Sequence, residues 1–204
     1  GDFEELLDRF GKVPLPPYIK RDTIKSDRER YQTVYAKKKG AIAAPTAGLH
    51  FTKEILNNIS AKGIDLEYIT LHVGYGTFKP VQSDDIAAHK MEKEYFEIDS
   101  ALAEKLKTKK VRTIAVGTTT CRALETVAAK QALPLQQGWT DLFIYPPYKF
   151  KAIDVLLTNF HLPRTTLLML VSAFCGRELL MRAYEEAVRK KYRFYSYGDA
   201  MLII

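Results

Sequence analysis

Residues 158–176 constrain the fold more than any other stretch of this chain. The segment Thr158-Asn159-Phe160-His161-Leu162-Pro163-Arg164-Thr165-Thr166 leads directly into the apolar run Leu167-Leu168-Met169-Leu170-Val171. A helix that is apolar all round has no face to offer water, so it belongs in the middle of a fold. The run is far too short to cross a bilayer, which leaves the core of a globular domain as its place. The polar loop feeding that helix then lies beside the core, with Asn159 and His161 in a low dielectric. Buried polar groups need partners, supplied either by the protein or by a substrate.

The rest of the chain alternates between strand and helix patterns. Prolines at 14, 16 and 17 fix torsions in the opening segment, so residues 1–30 are expected as an extended connection into a domain spanning 31–204. Residues 40–44 read as a short buried strand. Ile55, Leu56 and Ile59 share one face of a helix over 53–62. Alternation over 66–73, ended by Gly74 and Gly76, predicts a strand, and Leu102 and Leu106 mark a helix over 99–107. A compact strand over 111–116 meets Gly117 and three threonines, a turn and cap for a helix over 121–130. Strands are expected at 142–145 and 153–157, separated by Pro146-Pro147, and a last helix at 177–191. This order predicts an α/β fold with a largely parallel or mixed sheet flanked by helices, three-layered or barrel-like. Ligands in such folds gather at the carboxyl ends of strands.

With 204 residues and 47% hydrophobic content, the chain is long enough for one well-buried core. Residues 1–102 hold 15 Lys+Arg against 16 Asp+Glu, and 103–204 hold 16 against 8, so the net charge of +7 lies in the second half. A basic half suits a polyanion such as nucleic acid and equally describes many basic enzymes. Cys121 and Cys175 lack any C-x-x-C spacing and read as two thiols, not as a disulfide or zinc site. No signal pattern opens the sequence, and a cytoplasmic monomer is the expected state.

Four strand-to-loop junctions collect the chemically useful side chains. The first is Ala44-Pro45-Thr46-Ala47-Gly48-Leu49-His50-Phe51-Thr52, either a tight turn capped by Thr52 or a place where a ligand reaches backbone amides. In the second, His72-Val73-Gly74-Tyr75-Gly76-Thr77 could hold a planar base or sugar, or simply form a bulge. It has neither a phosphate-loop nor a dinucleotide fingerprint. The third, Gly117-Thr118-Thr119-Thr120-Cys121-Arg122, sets three hydroxyls and an arginine at a helix start. That is more than one cap requires, and it suits a carboxylate or phosphate. The fourth is the loop from Thr158 already described. Of four histidines, His50, His72 and His161 fall in these junctions while His89 does not, a clustering that suits acid/base work. No segment has metal-ligand spacing, so no metal site is expected.

Together these junctions resemble the S-adenosylmethionine:tRNA ribosyltransferase-isomerase family of queuosine biosynthesis. The likeness runs nearly end to end through Pro14-Leu15-Pro16-Pro17-Tyr18-Ile19, Tyr31-Gln32-Thr33-Val34-Tyr35 and the closing Tyr192-Arg193-Phe194-Tyr195-Ser196-Tyr197-Gly198-Asp199-Ala200-Met201-Leu202-Ile203. Two departures stand out. The family's His-x-Met-His-x-Glu is here His89-Lys90-Met91-Glu92-Lys93-Glu94, so any role of the second histidine is lost. Pro147, in Tyr145-Pro146-Pro147-Tyr148, replaces a common glycine. Family members also carry an N-terminal part of the α/β domain and an inserted β-barrel domain, and the resemblance implies that this sequence corresponds to the portion following both, lacking them.

The resemblance implies transfer and isomerisation of the ribosyl group of S-adenosylmethionine onto 7-aminomethyl-7-deazaguanine at the tRNA wobble position. The products would be epoxyqueuosine, methionine and adenine. S-adenosylmethionine is then a consumed co-substrate, and no true cofactor is implied. The alternatives are another nucleoside-directed transferase or hydrolase, and a non-catalytic tRNA-binding fragment. On the first reading His50, His72 and His161 are the acid/base candidates, since the reaction needs a base beside the sulfonium and a proton for departing adenine. Thr118, Thr119 and Arg122 would bind the methionine carboxylate or a phosphate. Thr46, Tyr75, Thr77 and Asn159 would line the nucleoside pocket. Arg182, Arg189, Lys190, Lys191 and Arg193 would meet the tRNA backbone, or form an ordinary solvated helix face.

Overall fold

In the computed structural model the described residues are 3–74, 81, 85–108, 111–129 and 137–204. Helix α1 (Phe3–Phe10) and the single turn α2 (Asp27–Arg30) lie in the first thirty residues, which are therefore not extended throughout. The proline-rich stretch between them has neither helix nor strand, as the fixed proline torsions dictate. A 3-10 turn, Thr46–His50, precedes α3 (Lys53–Ala61), whose cap is Thr52, its hydroxyl accepting from the Ile55 amide. Next come β1 (Ile69–His72), β2 (Glu94–Ile98), α4 (Ser100–Thr108), β3 (Ile114–Val116) and α5 (Thr118–Ala129). The chain closes with β4 (Gln137–Thr140), β5 (Val155–Asn159), α6 (Thr166–Cys175), α7 (Arg177–Arg189) and β6 (Ala200–Ile203).

The strands form two three-stranded sheets, ordered β1-β2-β4 and β3-β5-β6. The first is antiparallel. The second is mixed, with β3 parallel and β6 antiparallel to β5. An α/β fold with a mixed sheet and flanking helices is thus present, and β3–β5 is the single parallel pair among the described residues. Between the layers, Phe96, Ile144, Leu156, Leu170, Val171 and Leu180 are almost fully buried. As its composition required, α6 is central: Leu170 and Val171 are in the core, Thr165 caps its start by accepting from Leu168 N, and Gly176 ends it at φ 83°.

Two expected strands do not form. Over 40–44 the structure makes only the isolated bridge Ala43–Val73, because the Ile42 and Ala43 amides both donate to the Val73 carbonyl. The apolar 142–145 run is loop, with Ile144 buried. There the Leu142 carbonyl accepts from Arg122 Nε in place of a neighbouring strand. The first thirty residues are also tied down. Asp27 accepts both guanidinium nitrogens of Arg21 at 2.6 and 2.7 Å and the Tyr197 hydroxyl at 3.1 Å, and Tyr18 hydrogen-bonds Ser196. Beside that guanidinium the Asp27 carboxyl is held well below the usual carboxylate range.

Candidate active site at the carboxyl ends of the parallel strand pair

Where β3 and β5 run side by side, their carboxyl ends open into one cleft, the position that parallel strand pairs give to ligands. After β3 the chain turns at Gly117, whose φ of 95° is a left-handed value that a side chain would strain, and whose amide donates to the Leu157 carbonyl at 2.8 Å. That turn starts α5 inside the cleft. Thr118, Thr119 and Thr120 occupy the first turn, where amides have no carbonyl four residues earlier in the helix, and all three line the cavity. Sequence reasoning placed these threonines ahead of the helix; they are within it.

On the opposite wall, β5 ends in Thr158 and Asn159. Asn159 is 3% exposed. Its Oδ1 accepts from the Thr46 hydroxyl at 2.9 Å, and its Nδ2 lies 3.4 Å from His50 Nε2. That contact links the exposed His50 ring to the buried Asn159 amide. Thr158 Oγ1 holds His161 Nε2 at 2.8 Å, while the His161 backbone amide donates to the Tyr184 hydroxyl at 2.7 Å. Burial pushes the His161 pKa down to about 4, so the imidazole is neutral at neutral pH. It can accept a proton or orient a hydroxyl, but it does not arrive charged.

A pH dependence follows from that shift. Unfolded His161 protonates near its ordinary value, whereas the folded ring stays neutral down to about pH 4. The stability this preserves is present above about pH 6.5 and is lost as pH falls toward 4, amounting to about 2 kcal/mol by pH 5. Urea titrations at pH 7 and pH 5 should show that loss in the unaltered chain and not in His161→Gln. Equal losses in both would remove the histidine from the account.

The cleft therefore brings together Thr46, Thr118, Thr119, Asn159 and His161 from three junctions, with His50 behind Asn159. Arg122 is not with them. It points into the core, 2% exposed, donating to Glu94 at 2.7 Å and to the Leu142 carbonyl at 2.9 Å, so it is a buried ion-pair residue and not a carboxylate receptor. Nor does His72 line the cleft; its ring packs on Tyr95, with Gly40 so close that a β-carbon there would sit 2.6 Å from Nδ1. Tyr75 and Thr77 lie outside the described residues.

The five basic residues of the last helix region are exposed, and three already face carboxylates: Arg189 and Lys190 meet Glu186, and Arg193 meets Asp199. Three further cleft residues, Tyr18, Tyr195 and Ser196, come from the two ends of the sequence. Tyr195 has φ 70°, unusual for a non-glycine residue, and its amide donates to the Phe160 carbonyl at 3.0 Å. The polar residues near both termini give no local sign of this convergence, and none of the three is among the site residues the sequence suggests.

The fold and cleft define an α/β protein with a polar cleft between a helix start and the end of a parallel strand. The family model described as "Queuosine biosynthesis protein" matches residues 2–203, and the chain belongs to that family. It is 55% identical over 208 residues to a Halothermothrix orenii protein named S-adenosylmethionine:tRNA ribosyltransferase-isomerase, covering 100% of this chain and 60% of that protein. A Thermoanaerobacter protein of the same name is 57% identical over 208 residues, again 100% of this chain and 60% of the relative. The crystal structure of S-adenosylmethionine tRNA ribosyltransferase from Thermotoga maritima superposes with a TM-score of 0.62 at 46% identity, over 78% of this chain and 51% of that one. The chain thus spans about 60% of the length of these curated relatives. Among the described residues no helix is long and apolar enough to cross a membrane.

Proposed function

We propose that the cleft binds S-adenosylmethionine and that its residues serve transfer and isomerisation of the ribosyl group onto a tRNA base. The acceptor is 7-aminomethyl-7-deazaguanine at the wobble position, and the products are epoxyqueuosine in tRNA, methionine and adenine. The observation that carries this reading is the meeting of Thr46, Thr118, Thr119, Asn159 and His161 in one cavity from segments far apart in sequence. The start of α5 suits the methionine carboxylate, since its amides and threonine hydroxyls all donate toward an anion. Asn159, held by Thr46, is positioned to read the nucleoside. His161, neutral beside Thr158, acts as a proton acceptor or orienting group near the sulfonium carbons, and His50 reaches the same place through Asn159.

S-adenosylmethionine is consumed as a sugar donor, so no separate cofactor enters this scheme. The protein works in the cytoplasm as a monomer. Arg182, Arg189, Lys190, Lys191 and Arg193 meet the tRNA backbone, exchanging exposed partners such as Glu186 for phosphates. Because the chain spans about 60% of its relatives, a second reading is a tRNA-binding fragment that needs further sequence for turnover.

Incubation with S-adenosylmethionine and tRNA bearing the deazaguanine should release adenine and add a ribosyl-derived mass to the nucleoside. Asn159→Ala should lower that turnover on the order of 100-fold, the scale of one lost positioning contact. Full turnover in Asn159→Ala would refute the pocket assignment. RNA binding without adenine release from the unaltered protein would favour the fragment. Glutamine at all five basic positions should flatten the salt dependence of tRNA affinity by roughly one unit of log–log slope per phosphate contact removed.

A further inference from the structure

The outer face of the antiparallel sheet carries a feature that the cleft chemistry leaves unused. His72 on β1 is directly opposite Tyr95 on β2, and Tyr95 is directly opposite Trp139 on β4. Cross-strand partners in antiparallel sheets project to the same face. That face is the outer one, because Tyr95 alternates with the buried Glu94, Phe96 and Ile98. The three rings form a continuous row, with centroids 5.5 Å apart from His72 to Tyr95 and 5.4 Å from Tyr95 to Trp139. Trp139 is 59% exposed, although tryptophan is among the costliest side chains to leave in water.

Cations edge the same row. Lys37, Lys38 and Lys39 are exposed and run into Gly40, whose backbone lies against the His72 ring. Lys38 pairs with Glu97, two residues along β2 from Tyr95 on the same face. The row also adjoins the cleft: Val73, which follows His72, lines that cavity and bridges to Ala43, another of its lining residues. A second copy packed through this same face would bring its own exposed Lys37 to Lys39 against like charge. A single-stranded polyanion with aromatic bases matches both the rings and the charge.

We propose that the His72–Tyr95–Trp139 row, edged by Lys37 to Lys39, is a stacking platform for unpaired RNA bases that flank the nucleoside held in the cleft. The inference rests on the tRNA-directed reading above and adds where the loop nucleotides lie. Bases stack on the ring faces while the lysines take phosphates, so the platform favours an unpaired loop over duplex and is tolerant of sequence.

Trp139 is the chain's single tryptophan, so its emission reports on the platform alone. Titration with a single-stranded RNA or a hairpin RNA should quench that emission, and a fully paired duplex of the same length should quench it far less. Tyr95→Ala and Trp139→Ala should each weaken binding of dye-labelled hairpin RNA about 10-fold to 100-fold by fluorescence polarisation. Trp139→Phe should retain most of the affinity. S-adenosylmethionine affinity of Tyr95→Ala should match that of the unaltered chain, and its thermal melt should remain cooperative with a midpoint only modestly lowered by the lost ring contacts. Labelled RNA that binds without quenching Trp139, binds Tyr95→Ala equally well, or fails to bind the unaltered chain overturns the platform. Adenine release is unaffected by the first two results and judges the ribosyl-transfer reading separately.

Discussion

Glu125→Ala should lose on the order of 4 kcal/mol of stability, enough to bring a typical domain close to unfolding. Glu125 sits on α5 and is 0% exposed. Its carboxylate accepts from the backbone amides of Lys151, Ala152 and Ile153, at 2.9, 2.9 and 3.3 Å for the shorter contacts, and from the Tyr148 hydroxyl at 3.2 Å. Ala152 and Ile153 are buried, so truncation leaves their amides without an acceptor and without water. Those amides belong to the run that enters β5. Glu125 thereby sets the spacing between the helix that carries Thr118 and the strand that carries Asn159. Glu125→Gln keeps one acceptor oxygen but turns an NH2 toward other amides, and it should recover only part of the loss. Urea titration of the three proteins measures both effects. An alanine variant as stable as the parent would show that this clamp contributes nothing.

Arg122→Met should cost about 3–5 kcal/mol, because it deprives a buried carboxylate of its guanidinium. Arg122 and Glu94 are 3% and 4% exposed as side chains and meet at 2.7 Å across the gap between α5 and β2. Arg122 also donates to the carbonyls of Leu142 at 2.9 Å and Thr140 at 3.4 Å, tying β4 and the loop after it to α5. Arg122→Lys should behave nearly as badly, since an ammonium cannot reproduce three donors fixed in one plane. Arg122→Met combined with Glu94→Leu removes both charges and should restore much of the stability. Thermal melts of the single and double variants read the coupling directly. A double variant no better than the single would mean that Arg122 matters through its two carbonyl contacts alone.

Much of this was legible in the sequence where a local cause governs the outcome. The apolar run 167–171 dictated a central helix, Thr52 capped α3, and a strand, Gly117 and a helix followed one another as their propensities required. The unforeseen parts depend on distant partners. Arg122 looked like a ligand-binding cation because it follows three threonines at a helix start. Its side chain turns inward since Glu94, 28 residues earlier, waits there, and spacing within one segment carries no trace of that pairing. The same arginine takes the Leu142 carbonyl and leaves an apolar run as loop. His72 was grouped with the other junction histidines, yet its place in β1 sends the ring to the outer face with Tyr95. Tyr18 and Ser196 enter the cleft from opposite ends of the chain, a meeting that only the folded topology creates.

Binding of S-adenosylmethionine, followed by amide chemical shifts in an isotope-labelled chain, tests the central claim most directly. The cleft predicts that shifts move together at Thr46, Gly117 to Thr120, and Thr158 to His161, that they saturate with one ligand, and that Asn159→Ala weakens the binding. The β1-β2-β4 sheet should stay unmoved by this ligand. Saturable shifts confined to other surfaces, or none at all at millimolar ligand, would contradict the assignment of the cleft as the S-adenosylmethionine site.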